Sequence, residues 1–221
     1  MNLFDLIGPV MVGPSSSHTA GAARIGLTAR LLLGENVTYA HISFHGSFAK
    51  TYHGHGTDRA IVGGLMGMNV DDTRLRDSLA IAREQGMNVS FRLVTIRGAH
   101  PNTVRLDITG VSGKRLTMEA ASVGGGNIEI TRLDGLHVSF TGMENTLIVH
   151  HMDKPGVIAQ VTGAIARMGI NIAGMQVFRL EAGAEAIMVL ELDGVLEDEQ
   201  IQTLNGIKDV QRCTFLKRRT A

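Results

Sequence analysis

Apolar and polar residues follow one another in the first half of the chain in a way that predicts helices early and strands late. Apolar residues between Ile25 and Leu32 fit a helix better than a strand, and Gly34 is placed to end it. Residues 37–46 carry β-branched and aromatic residues between polar ones, which predicts a strand. The remaining elements are expected as helices at 59–68 and 73–85 and as strands at 88–97, 103–109, 114–121, 127–133 and 136–141.

After residue 145 the pattern starts afresh, in the order strand, helix, strand, strand, helix, strand. Pro155 suits the first turn of a helix, and Gly169 is placed to end it. This order is that of the ferredoxin-like split βαβ motif. The expected elements are a strand at 146–151, a helix at 156–168, strands at 171–180 and 185–192, a helix at 197–205 and a strand at 209–216.

These patterns predict an α+β protein with two domains. The first, at 1–145, is expected to be a mixed α/β domain with late antiparallel strands. The second, at 146–221, is expected to have the ferredoxin-like βαββαβ fold. With 221 residues, 44% of them hydrophobic, the chain is long enough to bury a sizeable core.

The composition narrows the class of partner. The 21 basic and 21 acidic residues balance and only 4% of residues are aromatic, so neither nucleic acid nor a membrane surface is an expected partner. The N-terminus lacks the features of a signal peptide, and no stretch approaches the roughly 20 apolar residues of a membrane span. We therefore expect a cytoplasmic protein. The single cysteine, Cys213, excludes an internal disulfide and an iron–sulfur cluster held by this chain alone.

Two polar segments of unusual composition carry the candidate chemistry of the first domain. One is Gly13-Pro14-Ser15-Ser16-Ser17-His18-Thr19, directly before a predicted helix, and the other runs from Gly46 to Asp58. Serines at such a place are typical helix caps, and a helix N-terminus also attracts a carboxylate. Histidine is the natural base near neutral pH. Five of the nine histidines lie between positions 18 and 55, and His18, His53 and His55 fall within these two segments.

The same residues also have structural interpretations. The serine run is often no more than a helix cap. Thr57 or Asp58 is placed to cap the helix at 59–68, and Asp58 can either form a surface ion pair or position His55. His53, His55 and Asp58 also have the composition of a zinc or iron site.

Residues 146–221 resemble an ACT domain. The resemblance rests on the first strand, on Asp153-Lys154-Pro155-Gly156-Val157-Ile158 and on Gly169-Ile170-Asn171-Ile172. ACT domains commonly pair and bind amino acids, so the resemblance implies a homodimer. By position it also implies that His151, Asp153 and Asn171 bind an amino-acid effector, although related serine-sensing dehydrogenases usually have Asn at the middle position. The alternative is an ACT domain that only dimerises.

The front of the chain resembles the serine dehydratase beta domain, also called the allosteric-substrate-binding domain. The resemblance rests on residues 13–21, on Gly46-Ser47 and on Gly54-His55-Gly56-Thr57-Asp58. In this family L-serine becomes pyruvate and ammonia, and a [4Fe–4S] cluster acts as Lewis acid. The resemblance implies a beta subunit whose partner, a separate alpha chain, holds the cluster. It implies no metal ligand on this chain.

The resemblance also implies roles for individual residues. His55 is expected to be the base or its close helper, and His18 to orient the L-serine substrate. Hydrogen bonds to the substrate are expected from Ser15, Ser16, Ser17, Thr19, Thr57 and Asp58. The alternative function is a free-standing amino-acid-binding regulator, which shares the ACT domain but has no use for the paired histidine segments.

Overall fold

A computed structural model describes residue 13 and residues 15–218; Pro14 of the first polar segment and residues 1–12 lie outside the described residues. By internal contacts the chain divides into two compact units, with the border between Gly135 and Leu136. Both units contain helices and strands, which confirms the α+β class. The domain limits 1–145 and 146–221 stay a prediction.

The first unit begins, in its described part, with a π-helix that continues directly into an α-helix. Helices dominate its first half and strands its second half, as the sequence predicts. Its elements are the π-helix Ser16–Gly21, α1 Ala22–Leu33, β1 Val37–His45, α2 Gly46–Thr51, α3 Thr57–Leu65, a 3₁₀ helix Thr73–Asp77, α4 Ser78–Glu84, β2 Asn88–Val94, β3 Thr103–Gly110, β4 Arg115–Gly124 and β5 Asn127–Leu133.

Within this unit the strands follow the order β2-β1-β3-β4-β5. β1 and β2 run parallel, whereas β1, β3, β4 and β5 pair as antiparallel neighbours. Along β3 the apolar residues Val104, Leu106 and Ile108 are buried, and the residues between them are at least partly exposed. One face of the sheet therefore faces the core, where α1 contacts β4, and the other face carries polar side chains.

Several predicted boundaries were wrong in the region of the second polar segment. A helix that the sequence did not predict, α2, begins at Gly46, directly after β1. The helix expected at 59–68 begins at Thr57, and its N-cap is Gly56 in the left-handed region (φ 67°) rather than Thr57 or Asp58. The helix expected at 73–85 is divided into the 3₁₀ helix and α4, and the strand expected at 88–97 ends at Val94.

α1 and α3 pack with their backbones in close contact. A Cβ atom added to Gly26 would lie 2.2 Å from the carbonyl oxygen of Ile61, and one added to Gly64 would lie 2.1 Å from that of Ala23. No side chain fits between the helices at these two positions. The two glycines therefore set the distance between the helices that carry the polar segments.

The second unit has β6 (Leu136–Phe140) followed by the predicted order of strand, helix, strand, strand, helix, strand. Its antiparallel sheet has the strand order β10-β7-β9-β8. The helices cover one face, where Leu147, Val161 and Leu204 belong to a buried apolar cluster. The ferredoxin-like βαββαβ fold is thereby confirmed. Its elements are β7 Asn145–Met152, α5 Val157–Arg167, β8 Ile172–Arg179, β9 Glu185–Leu192, α6 Asp198–Asn205 and β10 Val210–Leu216.

Candidate functional site

The packing of α1 against α3 brings the two polar segments of the first unit together. Near the start of the two helices, Thr19 Oγ1 donates a hydrogen bond to the carbonyl oxygen of His55 (3.4 Å). Near their ends, Arg30 Nη1 donates to the carbonyl oxygen of Leu65 (3.4 Å). The start of one helix thus lies near the start of the other, and the end of one near the end of the other. The two polar segments, which precede the helices, therefore meet at the N-terminal end of the pair.

The π-helix shapes the first segment around His18. Ser15 is its N-cap, since Ser15 Oγ accepts a hydrogen bond from the backbone N–H of His18 (3.2 Å). A Cβ atom at Gly21 would lie 2.1 Å from Ser122 Oγ on β4, so glycine permits the turn to approach the sheet. Ser16 and Ser17 lie in the π-helix and are half-buried. The capping role expected for the serine run thus belongs to Ser15; substrate contacts by these three serines stay a prediction.

His18 and His55 form an edge-to-face pair. Their ring centroids are 4.9 Å apart and the ring planes make an angle of 85°. His18 Nδ1 lies 3.3 Å from Ser15 Oγ and Nε2 lies 3.3 Å from Ser47 Oγ, so both ring nitrogens are within hydrogen-bond distance of a hydroxyl. Burial, and then the proximity of His55, lower the pKa of His18 below its ordinary value of 6.5. His18 is therefore a restrained, neutral imidazole near pH 7.

His55 is the less restrained member of this pair. It is exposed, and its imidazole has no hydrogen-bond partner within the described part of the chain. It lines a pocket of about 180 Å³ that Thr19 also lines. The other residues of this unit that the sequence places in the site do not line the pocket. The first segment therefore lines it with Gly13 and Thr19 and the second with His53, Gly54, His55 and Gly56.

The second segment is fixed by a buried carboxylate. Asp58 is 2% exposed, and its carboxylate accepts a hydrogen bond from the N–H of Arg59 (2.8 Å) and lies 3.1 Å from His53 Nδ1. The carboxylate thus contacts His53 rather than His55, which does not favour the alternative that Asp58 positions His55. Thr57 is fully buried, and its hydroxyl has no hydrogen-bond partner among the described residues.

The residues that the structure describes do not fit a metal or an iron–sulfur cluster. They contain no group of three His, Cys, Asp or Glu side chains placed to hold a metal ion, so the alternative of a site from His53, His55 and Asp58 finds no support. Cys213 is buried in β10, and burial raises the pKa of its thiol to about 12. Cluster ligands are thiolates, usually several together. We therefore derive no reaction step through a cluster on this chain.

In the second unit, the three residues expected to bind the effector have different surroundings. His151 is buried; its Nδ1 lies 2.8 Å from the carbonyl oxygen of Met152, and its Nε2 has no partner among the described residues. Asn171 Nδ2 donates to Asp193 Oδ2 (2.6 Å).

The carboxylate of Asp153 is held within the chain by the turn between β8 and β9. It accepts hydrogen bonds from the N–H of Gly183 (3.1 Å) and from the guanidinium of Arg179. Both hydrogen bonds lower the pKa of this carboxyl, and the bond from Gly183 has the larger effect. Of the three residues expected to bind the effector, His151 is the one with a buried side-chain atom that has no partner among the described residues.

Comparisons with known proteins identify both parts of the chain. The family model "Serine dehydratase beta chain" matches residues 2–85, and the ACT domain model matches residues 145–204. A probable L-serine dehydratase beta chain of Bacillus subtilis (strain 168) is 42% identical over 213 residues, which cover 96% of either chain.

Two further relatives extend these matches. An L-serine dehydratase beta chain of Peptoniphilus asaccharolyticus is 32% identical over 215 residues, which cover 97% of either chain. A D-3-phosphoglycerate dehydrogenase of Bacillus subtilis (strain 168) is 28% identical over 190 residues, or 86% of this chain and 36% of the dehydrogenase.

The fold and the two polar segments thus define a two-unit protein with a C-terminal ACT domain. The chain belongs to the serine dehydratase beta-chain family, which confirms the resemblance seen in its sequence. None of the described helices is long and apolar enough to cross a membrane.

Arg59 and Arg76 are the site residues that the sequence did not single out. Both line the pocket beside Thr19 and His55. Arg59 directly follows the second polar segment, but an arginine in the first turn of a helix is ordinarily a surface residue. A shared pocket is a signal that the sequence alone does not contain.

Proposed function

We propose that this chain is the beta subunit of an L-serine dehydratase and that it converts L-serine to pyruvate and ammonia together with an alpha chain. The observation that carries the proposal is the imidazole of His55, which lines a small pocket beside the restrained ring of His18. Two relatives are described as beta chains of L-serine dehydratases, one of them as a probable one, and this supports the reaction and the partner. Location in the cytoplasm stays a prediction.

In this proposal His55 removes the Cα proton of L-serine, the Cβ–O bond breaks, and the departing hydroxide takes up a proton to leave as water, which restores neutral His55. The aminoacrylate formed then reacts with water to give pyruvate and ammonia. Because His18 is neutral near pH 7, the positive charge that His55 gains meets no like charge on the neighbouring ring. Thr19 bonds the backbone of His55 and holds this residue at the pocket. When bound on the alpha chain, a [4Fe–4S] cluster would supply Lewis-acid assistance to the leaving hydroxyl.

Replacing His55 by alanine tests this assignment. In the complex with the alpha chain, prepared anaerobically, we expect pyruvate formation from L-serine to fall by about 10²–10⁴-fold, the usual contribution of a positioned base. His137→Ala is the matched control, since His137 is an exposed residue of β6, and it is expected to keep normal turnover. Near-normal turnover by His55→Ala would show that another group is the base.

A second candidate function is a free-standing amino-acid-binding regulator. The observation that favours it is the buried Nε2 of His151, which has no partner within the described residues. The two functions differ in their need for the alpha chain. Pyruvate formation by the complex favours the dehydratase subunit, whereas absence of turnover with a fully loaded cluster favours the regulator.

A further inference from the structure

Among the residues that the structure describes, the lining of the pocket beside His55 is cationic or neutral. Its charged or ionisable lining residues within the described ranges 13 and 15–218 are His53, His55, Arg59 and Arg76, and none of these described lining residues is Asp or Glu. A pocket lined by one sign of charge attracts ligands of the opposite sign, because the low-dielectric walls focus the field. The pocket therefore favours an anionic ligand.

Of the two arginines, Arg59 has the guanidinium that is free to bind such a ligand. Within the described residues its guanidinium forms no ion pair, since the adjacent carboxylate of Asp58 is directed to His53 and to the backbone N–H of Arg59. Arg76 lies 3.5 Å from the carboxylate of Asp77. The charge of Arg76 is thus partly neutralised, and that of Arg59 is not.

The backbone of Arg59 is held firmly although its side chain is exposed. Its N–H donates to the buried carboxylate of Asp58, and its carbonyl oxygen accepts a hydrogen bond from Ser78 Oγ (2.7 Å). Ser78 is itself fully buried. The start of the Arg59 side chain is therefore fixed at the pocket rim, which lowers the entropy lost when the guanidinium binds a ligand.

The size of the pocket selects a small ligand. A volume of about 180 Å³ holds about six water molecules, since one occupies about 30 Å³ in the liquid. Sites for drug-sized ligands are larger, at about 300–1,000 Å³. A single amino acid fits the volume, and its carboxylate matches the planar, two-pronged guanidinium.

We propose that Arg59 is the residue that binds the carboxylate of the amino-acid substrate and thereby presents its Cα to His55. The identity of the substrate as L-serine rests on the proposed function. The assignment of a carboxylate to Arg59 rests on the pocket, its charge and its size.

The first test measures kinetics of the complex with the alpha chain. Arg59→Gln removes the charge and is expected to raise KM for L-serine roughly tenfold to a hundredfold, the usual worth of a hydrogen-bonded charge, with a smaller effect on kcat. Arg59→Lys keeps the charge and is expected to recover part of the loss. Arg83→Gln is the matched control, since Arg83 is an exposed residue of α4. An unchanged KM in Arg59→Gln would overturn the proposal.

The second test uses the full chain without its partner. L-serine and L-serinamide, which lacks the carboxylate, are titrated separately while NMR signals of the Arg59 Nε–H and the His55 ring are followed. We expect saturable shifts with L-serine, much weaker shifts with L-serinamide, and loss of the difference in Arg59→Gln. Equal shifts with both compounds, or no shift with either, would overturn the proposal.

The two tests separate failure of this inference from failure of the proposed function. If the wild-type complex forms no pyruvate from L-serine, the proposed function fails, and the NMR titration still decides whether Arg59 binds a carboxylate. If the complex is active but Arg59→Gln is unaffected, the proposed function stands and the role of Arg59 is refuted.

Discussion

His18 and His55 stand side by side, but their surroundings suit them to different tasks. His18 has a serine hydroxyl within hydrogen-bond distance of each ring nitrogen, whereas His55 has an exposed ring at the pocket. A restrained neutral ring orients its neighbour, and a ring with a free nitrogen can accept a proton. We therefore regard His18 as a positioning residue and His55 as the base of the proposed reaction.

The lowered pKa of His18 makes the stability of the protein depend on pH. Because the folded value lies below the ordinary 6.5, the unfolded chain binds more protons than the folded chain as the pH falls below about 6.5. The free energy of unfolding is therefore expected to decrease between pH 7.5 and pH 5.5, and this loss is absent above that range. Denaturant unfolding at both pH values checks it.

His18→Gln removes this titrating group while it keeps a polar side chain. The variant is expected to lose less stability than the wild type between pH 7.5 and pH 5.5, whatever its absolute stability. An identical pH dependence in both proteins would contradict the assignment of the effect to His18.

The composition of the sequence identified the two polar segments, and their resemblance to a known family selected His18 and His55 within them. Composition and resemblance were not sufficient to assign contacts, because a side chain's partner depends on the backbone direction at that point. For Asp58 the sequence left a surface ion pair and the positioning of His55 as alternatives, and in the structure the carboxylate is buried beside His53 at the start of helix α3.

At the scale of elements, the pair α1 and α3 determines the geometry of the site. Gly26 and Gly64 allow their backbones to touch, and the two polar segments meet at one end of this pair. Any change that separates the helices also separates His18 from His55. The stability of the packing and the geometry of the site are therefore coupled.

Gly26→Ala tests this coupling. The added methyl group overlaps the carbonyl of Ile61, and we expect a loss of about 1–3 kcal/mol in the free energy of unfolding, as for other overpacked cores. Gly163→Ala in α5 is the control, because its Cβ would meet Arg167 Nη1 at 3.6 Å, an ordinary contact. Alanine in a helix interior is expected to be neutral or stabilising there. Equal effects of both substitutions would contradict the interpretation.

Helices α1 and α5 and most strands follow from apolar periodicity, but α2 does not. α2 begins at Gly46 (φ 59°), and the carbonyl oxygen of Pro101 accepts hydrogen bonds from the N–H groups of Ser47 (2.7 Å) and Phe48 (3.4 Å). The start of this helix thus depends on a residue more than fifty positions away. A contact over this sequence distance cannot be predicted from local sequence patterns.

At the scale of the whole molecule, the pocket and the ACT domain belong to different compact units. In the ACT unit β8 is an edge strand, and Met175 and Val177 on it are exposed (45% and 36%). An edge strand with apolar side chains is suited to pairing with a second copy. We therefore propose a homodimer formed through this unit, with an amino-acid effector bound near His151.

Sedimentation and calorimetry of the full chain test this proposal together. We expect a dimer that releases or absorbs heat on titration with an amino acid, L-serine being the first to try. His151→Ala is expected to stay dimeric and to lose the binding heat, because the buried Nε2 is removed. A monomer would refute the pairing, and the absence of heat with every amino acid would leave the ACT unit without an effector.

The hydrogen bonds that the start of α2 donates to the carbonyl of Pro101 affect how this protein can be recombined with its relatives. The segment matched by the beta-chain family model ends at residue 85, yet Ser47, which holds His18, is anchored by a carbonyl beyond that limit. A chimera joined at residue 85 would combine the histidine pair of one parent with the anchoring loop of another. Exchanges between parents that preserve the site have to place the junction after residue 102.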